Sequence, residues 1–465
     1  MKVRSQKSSL RVVAAPVAVV FVVSAFLVVL NLLTIHHFRP YNSDDVSWQN
    51  ILLTWRPHNG HQVILGGSDS FIVKVPFFWL LGHFFEPSRR LIFAEATFFA
   101  LLSLSLYYYA FLYFLKKLKI ERTYLTLLPF VWFASFGFGI GQMSLNPILR
   151  NFELGLSFVY FALAAKLYYK ELDGLSKWVN WPIGICATVL AGVLVFNDPY
   201  FLYFTLGPIA LLYLYLYITK RVSRAKAGLL AGSILASMVV AKAVEVLAGK
   251  VGLHLAFKQP IQFVTFDGLW NNVSLAIHGL LVIFGADFFG QNVLSLNSVS
   301  AFLDLVVLGL LGLQLVRTIK SWRGSKLLDK PSDLLLWRSF LVGVTLLVLA
   351  VYIFSNVAVD LYSYRYLIIS VYALVLFLAI SLRSARYQGW IYGLLCLAIV
   401  GNFLLFFNHN AGAQPGSANN VANSENKFLI DTLASTGITK GYATYWDGNI
   451  NSYLSKGHTE FLPII

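Results

Sequence analysis

The sequence predicts an all-α polytopic membrane protein, and three observations carry that prediction. Of 465 residues, 58% are hydrophobic and only 12% are charged. The mean hydropathy is +0.69, and the apolar residues come in repeated runs. A run of roughly 18 to 22 apolar residues, at about 1.5 Å of rise each, covers a hydrocarbon core of about 30 Å as a helix. A water-soluble globular domain is excluded by this composition. The two cysteines, Cys186 and Cys396, both lie inside apolar runs. They are expected to be small core residues, with no disulfide framework and no Cys-based metal site.

About eleven spans follow in order, near residues 12–34, 91–115, 123–140, 152–170, 179–197, 200–219, 228–248, 300–316, 338–355, 366–382 and 389–407. The first follows MKVRSQKSSLR, is longer than a signal-peptide core and ends in no A-x-A-like cleavage site, so it reads as a retained anchor. Alternation of eleven spans gives one set of loops 23 of the 36 basic residues and five of the 21 acids. That set carries +18 and the rest of the chain −3, within a total of +15. Excess Lys and Arg mark cytoplasmic loops, so the basic balance reads as topology, with no nucleic-acid partner. The N-terminus is then cytoplasmic, the C-terminus outside, and the compact loops point to a bacterial plasma membrane. The apolar segment 271–290 would invert every later loop if it spanned, so it is expected to be a re-entrant or interfacial helix on the outer side.

With this topology the polar clusters gather outside. The longest is the outer loop 35–90, which holds YNSDDVSWQNILLTWRPHNGHQVILGGSDS at residues 41–70. Its second half, SFIVKVPFFWLLGHFFEPSRR, is apolar but short and flanked by charges, as a surface helix would be. Asp44 and Asp45 sit beside Tyr41, Trp48 and Trp55 at a span end, where aromatic residues mark the interface. A carboxylate pair there suits two jobs: holding a divalent cation against a phosphate, or deprotonating an acceptor hydroxyl. A solvated turn is the plainer reading of the pair. His58 and His61 could add metal ligands, although His-x-x-His without a third ligand is a weak signal.

Three further outer clusters carry chemistry. In LRNFELG, Arg150 and Glu153 are three apart and share a face at the start of the fourth span, either as an ion pair or as an anion contact held in place by the acid. In NDPY, Asp198 precedes a proline and reads as a turn or as a polar site residue. In YSYRYL, Arg365 and Tyr366 head the tenth span; the arginine either snorkels or binds phosphate. Beyond a linker-like stretch, residues 408–465 change period: KFLIDTLAST is helical in spacing, and YATYW and HTEFLPI read as strands, parallel across the loop between them. A small C-terminal α/β outer domain is expected, with Trp446 placed either to stack on a sugar or to pack the domain.

These features together resemble the polytopic GT-C glycosyltransferase superfamily: the apolar first span, the Asp-Asp pair in a long outer loop, the outward R-x-x-E at a span start, and the outer R-Y at a later one. The closing segment ENKFLIDTLASTGITKGYATYWDGNINSYLSKGHTEFLPI resembles the outer C-terminal region of bacterial membrane proteins of this kind. The resemblance covers most of the chain in architecture through short, degenerate motifs. It implies an inverting hexosyltransferase of the cell envelope that uses a polyprenyl-phosphate sugar donor. Asp44 or Asp45 would be catalytic base or metal ligand, with a divalent Mg or Mn and no organic cofactor. Arg150 and Arg365 would contact the phosphate. No signature of protein mannosyltransferases, oligosaccharyltransferases or aminoarabinose transferases is present, so the acceptor stays open among glycan, lipid and protein. Two readings outside this class remain, a transporter and a non-catalytic lipid-glycan assembly or flipping protein. A transporter should show mid-span ionisable residues and an inverted repeat; Lys242 and Glu245, near the outer end of the seventh span, are the nearest approach.

Overall fold

A computed structural model describes residues 63–65, 89–120, 128–135, 151–169, 177–250, 253–255, 261–322, 332–382, 388–411, 428–444 and 458–464, with single positions at 84, 451 and 455. The described chain is 83% helical. After a short strand β1 (Val63–Leu65), the order is α1 (Arg89–Lys117), α2 (Leu128–Ser135), α3 (Asn151–Tyr168), α4 (Lys177–Asn197), a π-helical turn (Leu202–Leu206), α5 (Gly207–Ile218) and α6 (Arg224–Lys250). Strand β2 (Leu253–Leu255) leads to α7 (Phe266–Ile283), α8 (Leu296–Trp322), α9 (Asp333–Phe354), a 3-10 helix (Leu361–Leu367), α10 (Ile368–Leu382) and α11 (Gln388–Ala411). A helix over 428–436 precedes the parallel strands β3 (Lys440–Thr444) and β4 (Glu460–Ile464). Among the described residues, five helices are long and apolar enough to cross a membrane: Arg224–Lys250, Leu296–Trp322, Asp333–Phe354, Ser363–Leu382 and Gln388–Leu405.

The bundle is built around α10. All fifteen of its residues are buried, as expected of a helix apolar on every side. Its neighbours supply aromatic rings: Tyr107 of α1 packs edge-on against Tyr372 at 4.5 Å between centroids, and its hydroxyl donates to the Tyr372 carbonyl at 2.8 Å. Phe133 of α2 and Phe158 of α3 complete that cluster. At the other extreme, α6 leaves most of its surface to lipid and touches α4 along one narrow strip. Contact there depends on Gly192, where a Cβ would come within 2.6 Å of the Val240 Cβ. Small residues let helix backbones approach in lipid, where apolar side chains gain nothing by leaving the solvent.

That same physics corrects one expectation from the sequence. Cys186 and Cys396 are exposed rather than packed in the core. An apolar run does not say which of its faces meets protein, because lipid accepts a thiol as readily as a core does.

Contacts between helix ends fall into two sets. In one, Tyr168 at the end of α3 donates to Asp333 at the start of α9, Lys226 of α6 donates to the Leu167 carbonyl, and Arg338 of α9 donates to the Ile380 and Ser381 carbonyls at the end of α10. In the other, β1 pairs in parallel with β2, Phe263 bridges to Ser355, and Asn272 of α7 donates to the carbonyls of Ile353 and Ser355. The first set carries the basic loops. The segment 271–290 resolves into α7 and a turn at Gly285, where φ is +68°.

A candidate functional site where three loops meet

The non-basic set of helix ends gathers several of the residues singled out from sequence. Glu153 lies in the first turn of α3, is buried at 3% exposure, and its Oε1 accepts from the Asn197 amide at 2.8 Å. Asn197 is the last residue of α4, so this bond ties the start of one helix to the end of the next. Asp198 follows at 2% exposure. Its Oδ1 accepts from the Tyr200 N–H at 3.1 Å, and its carbonyl accepts from the Phe201 N–H at 2.9 Å. The turn expected of Asp-Pro is therefore formed, with the carboxyl folded over its own backbone.

The chain then overwinds in the opposite sense. The Gly207 N–H reaches back to the Leu202 carbonyl, a π-type bond. Pro208 explains the widened turn, since it has no N–H for the ordinary i−4 partner and its ring crowds that carbonyl. The widened turn presents Tyr200, whose ring lies 5.6 Å from Phe204 and 5.4 Å from Tyr366.

Tyr366 and Arg365 come from the 3-10 helix. A capping box begins it: the Ser363 N–H donates to Asp360 Oδ1 at 2.9 Å and the Asp360 N–H to Ser363 Oγ at 3.2 Å. Helix α7 packs against it so closely that a Cβ at Gly279 would meet the Tyr364 Cβ at 2.7 Å. On this support the Arg365 guanidinium lies 5.2 Å above the Tyr366 ring, with Nη2 donating to Tyr366 Oη at 3.3 Å, and the residue remains exposed. The result runs from two buried carboxyl groups through a pair of stacked tyrosines to an exposed arginine. A guanidinium held flat over an aromatic ring suits a phosphate, and tyrosine rings suit the apolar face of a sugar.

Asp44, Asp45, His58, His61, Arg150 and Trp446 lie outside the described residues. Of the long outer loop 35–90, β1 ties its strand to β2; β2 leads into α7, which backs Arg365. Among the described residues no group of three or more His, Cys, Asp or Glu side chains could hold a metal ion.

One polar residue escaped the sequence reading. Asp304, nine residues into α8, is fully buried. Trp132 Nε1 of α2 donates to its Oδ1 at 2.7 Å and Asn402 Nδ2 of α11 to the same oxygen at 3.4 Å. Its Oδ2 has no hydrogen-bond partner among the described residues and faces Gly285, where a Cβ would sit 2.9 Å away. Ser300, one turn earlier, donates to Asn402 Oδ1 at 3.1 Å. The signal was a single acid in the apolar run SAFLDLVVLG, which membrane energetics make expensive to keep.

No protein-family model, no curated protein and no solved structure matches this chain.

Proposed function

We propose that the protein is a glycosyltransferase of the GT-C kind, moving a sugar from a polyprenyl-phosphate donor to an acceptor at the outer face of the membrane. The observation that carries this reading is the convergence of Glu153, Asp198, Tyr366 and Arg365 at one set of helix ends. On this view about eleven helices span the bilayer with the N-terminus cytoplasmic, and the loop 35–90 and the small domain 408–465 both lie outside. The donor enters from the bilayer and its phosphate meets Arg365 and Arg150, while Tyr366, Trp446 and the carboxyls of Glu153 and Asp198 contact the sugar or hold these groups in place. Asp44 or Asp45 takes the proton of an acceptor hydroxyl, whose oxygen bonds to the anomeric carbon as the bond to the donor phosphate breaks. Polyprenyl phosphate leaves with the bonding pair. A divalent Mg or Mn at Asp44, Asp45 and His58 would neutralise that phosphate when bound.

The experiment is sugar transfer or donor hydrolysis from a polyprenyl-phosphate library by the purified protein in nanodiscs. Asp44→Asn, Asp45→Asn and Arg365→Ala are compared with wild type. Turnover abolished by at least one aspartate variant, with donor binding weakened by Arg365→Ala, is the expected result. Donor that neither binds nor turns over sinks the reading. A transporter is the second reading, and Asp304 favours it, because an ionisable side chain in a membrane interior commonly marks an ion path. Substrate flux into sealed vesicles that stops in Asp304→Asn, without any sugar transfer, would establish it.

A further inference from the structure

A groove of about 250 Å³ opens between α5, α8 and α9 on the far side of the bundle from Arg365. Leu212 and Tyr215 of α5, Trp322 of α8, and Leu336, Gly343 and Leu347 of α9 form its walls, which are almost wholly apolar. From Leu336 to Leu347 a helix rises about 16 Å, close to half of a hydrocarbon core of about 30 Å. The groove is therefore one leaflet deep. It starts at the basic set of helix ends, where α5 runs into Lys220 and Arg221 and α8 closes with Arg317, Lys320 and Trp322; Asp333 is the acid nearby.

Arg221 is the informative residue at this mouth. Its Nη2 stands 3.6 Å from Asp333 Oδ1, and its guanidinium lies 5.7 Å over the Tyr168 ring. Nη1 is buried and has no hydrogen-bond partner among the described residues. A guanidinium N–H turned away from water and left unused is costly unless an acceptor arrives. The acceptor has to suit a site of excess positive charge, and the apolar groove behind it says that this acceptor is attached to a hydrocarbon chain.

We propose that the groove seats one acyl chain of an anionic phospholipid, from the leaflet at the basic helix ends, with the lipid phosphate accepting from Arg221 Nη1. Polybasic helix ends draw anionic lipids to that leaflet, and the leaflet-deep groove fixes one chain beside α9. The site is separate from the proposed donor site, which lies at the opposite helix ends, and it stands whether or not the protein transfers sugar.

The test counts lipids retained by the full-length protein. Protein is reconstituted in nanodiscs of phosphatidylcholine and phosphatidylglycerol, released gently, and examined by native mass spectrometry. Wild type is expected to retain phosphatidylglycerol over phosphatidylcholine by roughly tenfold, the worth of one charge-assisted hydrogen bond. Two variants attack the two halves of the site. Arg221→Gln removes the phosphate contact. Gly343→Leu fills the groove, and because a Cβ there meets nothing within 4 Å, it does so without a clash that would threaten folding. Each is expected to abolish the preference. Wild-type retention in either variant overturns the assignment, as does equal retention of the two lipids by wild type. Inorganic phosphate that protects against thermal unfolding as well as phosphatidylglycerol does would overturn the acyl-chain part.

Discussion

At the scale of single residues, the buried polar groups are where the cost of an error is greatest. Asn197 is an unremarkable amide in the sequence, yet it donates to a carboxylate buried at 3% exposure. Asn197→Leu should destabilise the protein by about 1–3 kcal/mol, because Glu153 loses a donor that water cannot replace. Thermal unfolding in detergent checks this, and an unchanged midpoint would show that the bond carries no weight. Asp304 and Trp132 make a sharper case, since both are fully buried and 2.7 Å apart. A double-mutant cycle of Trp132→Phe and Asp304→Asn should return a coupling of about 0.5–3 kcal/mol. Additive effects would mean that the short distance is packing without bonding.

Between helices, close approach at glycine replaces the hydrophobic drive that soluble bundles use. Gly279 matters most to the candidate site, because α7 there supports the 3-10 helix that presents Arg365 and Tyr366. Gly279→Leu should push that helix away, raising hydrogen exchange over residues 361–367 while leaving α10 protected. Exchange that stays at the wild-type rate would show that the capping box of Asp360 and Ser363 holds the segment unaided. The π-helical turn has a related logic. It is dictated locally by Pro208, but its consequence, the stacking of Tyr200 on Tyr366, reaches a segment more than 160 residues later.

For the whole molecule, the contacts between helix ends make a topological statement. Gln262 and Asn356 belong to one set, and Arg224 and Lys226 to the other. In a background with Cys186 and Cys396 replaced by serine, single cysteines at Gln262 and Arg224 should react with an impermeant maleimide from opposite sides of a sealed membrane. Labelling of both from one side would break the alternation on which the charge reading rests.

The sequence by itself determined the class: composition and run length demand a bilayer, and clusters such as NDPY and YSYRYL stood out because polar residues are rare around them. It also foretold the helix and parallel strands near the C-terminus, where the period of the pattern changes. It could not say which face of an apolar run meets protein, since Leu, Ile and Cys are equally at home in lipid and in a core; hence Cys186 and Cys396 were misplaced and Asp304 passed unseen. Only the tertiary structure decided that Glu153 binds Asn197, that Tyr200 meets Tyr366, and that α10 is enclosed while α6 is not. These are choices of partner between distant segments, and in a membrane they rest on small-residue contacts and buried hydrogen bonds whose pairing no local spacing encodes.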